Sequence, residues 1–74
     1  MTRSELDAAL LAAHEAGDRQ GLITLYAAAA TANTGVAAAF YLTHAYVFAL
    51  EAGDSRVHVL RARLVAMGSE PAEP

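Results

Sequence analysis

The tetrapeptide Glu-Ala-Gly-Asp occurs twice in this chain, as Glu15-Ala16-Gly17-Asp18 and as Glu51-Ala52-Gly53-Asp54, 36 residues apart. Gly-Asp is a turn signal, because glycine accepts the left-handed backbone that ends a helix and aspartate readily starts the next one. In the same register Ala9 falls on Ala45 and Ala13 on Ala49. A helix–turn–helix unit is thus written twice, with Asn33-Thr34-Gly35 as the break between the copies. The expected fold is all-α: four helices, at about 5–16, 19–32, 35–52 and 55–67, forming two successive antiparallel helical hairpins. Residues 1–68 make one domain, and the tail Ser69-Glu70-Pro71-Ala72-Glu73-Pro74 is expected to be mobile. No segment alternates with period two for long enough to suggest a strand.

Each expected helix carries its own signals. The first has Thr2 or Ser4 as N-cap, an apolar stripe of Leu6, Leu10 and Ala13 widened by Ala9, and Gly17 at its end. The second starts at Asp18, is weakened by Gly21, and carries Leu22, Leu25, Tyr26 and Ala29. The third is apolar nearly all round, with Val36, Phe40, Tyr41, Leu42, Ala45, Val47, Phe48 and Leu50, and therefore needs cover on most sides. The fourth is capped by Asp54 or Ser55, buries Val57, Leu60, Leu64 and Met67, and turns Arg56, Arg61 and Arg63 to water.

Composition limits the core. Of 74 residues 55% are hydrophobic, which excludes a disordered chain, but 19 are Ala. Alanine forms helix readily and buries roughly a third of what leucine buries, so the core is thin. A chain of this length buries only about 60% of its unfolded surface. A partner or a second copy would stabilise it.

The doubled unit resembles the tetratricopeptide repeats, helical hairpins of about 34 residues. Leu42-Thr43-His44-Ala45-Tyr46 resembles the Leu-Gly-x-x-Tyr stretch of that family's first helix, with Thr43 at the small position. The turn comes about one helical turn late, the Ala, aromatic, Ala trio of the second helix is missing, and the first copy lacks the early aromatic. The resemblance implies a scaffold that binds another protein and has no chemistry of its own. Its groove face on the third helix would include Phe40, His44 and Phe48, spaced i, i+4, i+8, and these are the candidate partner-binding residues.

Nothing in the sequence points to catalysis. There is no Cys, no Lys and no Trp, and no phosphate loop, nucleophile elbow or close carboxylate pair. His14, His44 and His58 lie on three different helices without metal-ligand spacing, so neither metal nor cofactor is expected. His14 is expected to be solvated, and His44 to be a core histidine or a polar contact in a partner groove. The formal net charge of -3 and the lack of aromatics among the arginines argue against nucleic acid. The expected function is a cytoplasmic, non-catalytic interaction module or adaptor that binds a partner helix or peptide, or associates with itself.

The alternative is a small membrane-associated subunit, because Leu22 to Leu50 contains no Asp, Glu, Lys or Arg over 29 residues. Asn33, Thr34 and Gly35 split that stretch into pieces shorter than the ~20 residues a spanning helix needs. The flanks carry no positive-inside asymmetry, and no signal peptide is evident. Because the other helices offer narrow stripes, an uncovered apolar strip is expected on the third helix, with Phe48 central to association.

Overall fold

A computed structural model describes residues 2–68, so the tail at 69–74 lies outside the described residues. The described chain is all-helical, with α1 at Arg3–Ala16, α2 at Arg19–Thr31, α3 at Gly35–Ala52 and α4 at Val57–Ala66. Each helix packs on its neighbour in sequence, α1 on α2, α2 on α3 and α3 on α4, and the α2–α3 interface is the most extensive. The Cα atoms fill a slab of 37 × 27 × 13 Å.

Local chemistry accounts for the boundaries. At the start of α1 the Thr2 hydroxyl accepts from the Glu5 amide at 3.1 Å, and the Thr2 amide donates to the Glu5 carboxylate at 2.7 Å. This reciprocal capping satisfies two amides that no helical carbonyl can reach. The two Gly-Asp turns are built alike. Gly17 has φ 66 and Gly53 has φ 63. The amides of Asp18 and Asp54 donate to the carbonyls of Ala13 and Ala49, each at 2.9 Å. These are Schellman closures, in which a left-handed glycine lets the chain turn back onto the last carbonyls.

The two aspartates then diverge. Asp18 caps α2 by accepting from the Gly21 amide at 2.9 Å. A Cβ at Gly21 would collide with the Asp18 carboxylate, so the glycine that weakens the helix also makes room for its cap. Asp54 does not cap α4 in this way. Its carboxylate accepts from the Arg56 amide at 2.8 Å and holds residues 55–56 in a turn, so α4 begins at Val57, two residues later than expected. At the other end of α2, the Asn33 side chain donates to the Ala29 carbonyl at 2.7 Å and closes the helix.

The core is as thin as the composition implies. Of the eleven buried hydrophobic residues described, six are Ala, and the largest fully buried side chains are Ile23 and Leu42. Ile23 and Ala30 lie outside the expected α2 stripe; α2 touches both α1 and α3, so its buried arc is wider than one stripe. In α4, Leu60 and Leu64 are buried as expected, but Met67 is exposed.

Two of the three arginines expected in water reach back to α2 instead. Arg56 donates to Thr24 Oγ1 at 2.8 Å and to Gln20 Oε1 at 2.7 Å, and pairs with Asp54 at 2.9 Å. Arg63 donates to Thr31 Oγ1 at 3.1 Å. Their long apolar stems allow the charged ends to cross from one helix to the next. The Asp54 carboxyl is held well below its ordinary range, first by its hydrogen bonds from Arg56.

Candidate interaction face

The face begins at Tyr26, half-buried in the middle of α2. Its hydroxyl is hydrogen-bonded to His14 Nε2, 2.8 Å away in the last turn of α1. His14 is therefore not merely solvated, although it remains exposed. From α3, His44 and Phe48 stack on the Tyr26 ring at centroid separations of 5.1 and 5.8 Å. Tyr41 lies tilted at 6.3 Å. Burial raises the Tyr26 phenol above its ordinary pKa, and Tyr41 adds to the shift.

The three candidate residues share one flank of α3 but not one environment. A step of four residues turns about 40° beyond a full circle, so the row Phe40, His44, Phe48 winds around the helix. Phe40 projects outward. His44 is half-buried; its Nδ1–H donates to the Phe40 carbonyl at 2.8 Å, and its ring lies 4.4 Å from that of Phe40. Phe48 is half-buried, with its ring 5.9 Å from His14, and it packs against the core. His44 thus combines the hydrogen-bonded state with partial exposure. His14 and His44 both contact the ring of Tyr26, but no group of three or more His, Cys, Asp or Glu capable of holding a metal occurs among the described residues.

Around α3 the apolar residues form two seams. Ala38, Leu42, Ala45 and Ala49 are buried and spaced 4, 3, 4. On the opposite side Val36, Phe40, Thr43, Val47 and Leu50 are spaced 4, 3, 4, 3, and all five are exposed. The exposures are 89% for Val36, 57% for Phe40, 45% for Val47 and 51% for Leu50, so the outer seam is left largely uncovered among the described residues. The Thr43 hydroxyl donates to the Ala39 carbonyl at 2.8 Å and is satisfied within the helix. A hollow of about 240 Å³ lies beside the seam, lined by Thr43, His44, Val47, Phe48 and Glu51.

Of the sequence candidates only Phe40 lies on the outer seam. The 4-3-4-3 spacing of the seam is the heptad pattern of helices that pair. An all-round apolar helix hides it, because two opposed seams cancel any single-sided pattern. No family model, curated protein or solved structure matches the chain. The reading of this face therefore rests on its own geometry.

Proposed function

We propose that this chain is a non-catalytic protein–protein interaction module, a small cytoplasmic adaptor whose α3 face receives a helix or peptide. The observation that carries the reading is the outer seam of α3, an uncharged apolar strip that its own fold leaves open. Exposed apolar strips on small domains mark association surfaces, and a helix in a shallow groove is a recurring way to cover one. Phe40 is the leading contact in this reading, with His44 and Phe48 forming the wall of the adjoining hollow.

The architecture belonging to this reading is a pair of antiparallel helical hairpins in a tetratricopeptide-like arrangement. The Arg56–Thr24 and Arg63–Thr31 bonds support it. Both span 32 residues, stepping by seven from Thr24 to Thr31 within α2 and from Arg56, just before α4, to Arg63 within it, as two equivalent helices running in the same direction would give.

A second reading has one observation in its favour. Helix α3 has 18 residues with a mean hydropathy of 1.2, and 22% of them are buried, so by length and composition it is apolar enough to cross a membrane. A carbonate wash of fractionated cells separates the two, since an adaptor is released and a spanning subunit stays in the pellet. A photo-cross-linking residue at position 40 then yields a protein adduct of fixed mass, while the same residue at exposed Val59 on α4 yields none. Retention in the pellet, together with no protein adduct at position 40, overturns the interaction reading.

A further inference from the structure

We propose that the occupant of the outer seam is a second copy of this chain, with two α3 helices packed antiparallel about a two-fold axis. The inference rests on the interaction reading above and names its partner. Three features point to self-pairing. First, the seam Val36, Phe40, Thr43, Val47, Leu50 has the 4-3-4-3 spacing that lets two helices interlock side chains, and it runs about 21 Å along the axis.

Second, the seam is complementary to itself when reversed. In antiparallel packing, positions from the two alternating rows of the seam share each layer. Placing Val36 opposite the partner's Val47 then puts Phe40 opposite the partner's Thr43, and symmetry repeats both layers. The bulky ring meets the smallest side chain of the seam, whose hydroxyl is already bonded to Ala39 and asks for no partner. No charged residue enters any of these layers.

Third, the ends of α3 are complementary in charge. Thr34 precedes α3 and makes no side-chain capping bond, so the first-turn amides of the helix lack that cap. Glu51 is exposed at the other end of the same helix, next to the last seam position. In the register given, Glu51 comes to lie just beyond the start of the partner's α3, where a carboxylate meets free amides and the positive end of the helix dipole. A parallel pair would set Glu51 against its own counterpart instead. The alternative antiparallel register, shifted by one heptad, carries Glu51 away from those amides and sets Val36 against the partner's Asp54.

The chain has no cysteine, which makes the test clean. Val36→Cys and Val47→Cys variants are purified separately and then mixed under mild oxidation, both positions being exposed enough to change without disturbing the core. The mixture is expected to give a disulfide-linked pair of one variant with the other. Each variant alone gives none, because its own counterpart lies about 16 Å away along the axis. Self-linking of each variant alone indicates a parallel pair and overturns the proposal.

Sedimentation equilibrium on the unmodified chain, from about 1 µM to about 1 mM, covers the range expected for a seam this small. It is expected to show a monomer–dimer equilibrium, weakened at least tenfold by Phe40→Asp and by Glu51→Lys with helical circular dichroism retained. Should Phe40→Asp unfold the chain, Val47→Asp on the same seam serves in its place. A chain that stays monomeric throughout, while its position-40 probe captures a different protein, overturns the dimer and leaves the interaction reading standing. A chain that stays monomeric and captures no protein overturns both.

Discussion

Tyr26 shows how much one side chain can join in so small a protein. It bonds His14 on α1 and stacks on His44 and Phe48 of α3, linking three helices through one ring. Tyr26→Phe keeps the ring and loses the hydrogen bond, and is expected to cost about 1 kcal/mol at neutral pH by urea denaturation. Its raised pKa adds a signature. The stability tied to the neutral phenol is present below about pH 10 and is lost as pH rises above it, so the variant declines less steeply in alkali. Asp54 gives the opposite sign. Its carboxyl is depressed by Arg56, so its contribution is complete above about pH 4 and disappears as pH falls below that. Asp54→Asn should lower the melting temperature at pH 7 and flatten its fall between about pH 5 and pH 2. Neither partnership was legible in the sequence. His14 and Tyr26 sit on separate helices, and a stripe argument treats a surface arginine as a group that points away, whereas Arg56 lies across its neighbour.

The elements themselves were largely legible, because their signals are local. Thr2 with Glu5, and glycine followed by aspartate at both turns, fix where helices begin and end. Gly17→Ala and Gly53→Ala should each destabilise the chain by about 1 kcal/mol, since a Cβ at positive φ outweighs any gain in helix propensity. An alanine variant at both turns that melts at or above the parent would contradict this. What a stripe cannot show is how many neighbours a helix has. Ile23 is fully buried because α2 lies between α1 and α3, and the start of α4 shifted because Asp54 bonds Arg56 rather than a helical amide. For α3 the sequence announced an apolar surface without saying which side would be covered. Small Ala38, Ala45 and Ala49 went inward, where helices approach closely, and bulky Val36 and Phe40 were left outside. That division created the candidate face.

At the scale of the molecule, most packing among the described residues runs between consecutive helices joined by connections of a few residues, while side-chain contacts such as His14–Phe48 and Arg63–Thr31 cross between non-consecutive ones. Contacts close in sequence need little loop closure, so the chain belongs among fast folders, with refolding expected in microseconds to milliseconds. The most extensive interface, α2 on α3, would form first, with α1 and α4 added to its two sides. The same order predicts how the native state opens. Helix α1 buries only Ala13, and none of its other apolar residues is fully buried. Its amides should exchange with solvent deuterium well before those of α2 and α3, through local openings that leave the rest folded. Uniform exchange across all four helices would mean that the chain opens only as a whole. Such an opening of α1 would uncover Tyr26, whose hydroxyl and ring meet His14, while the outer surface of α3, formed by residues of α3 alone, would keep its shape.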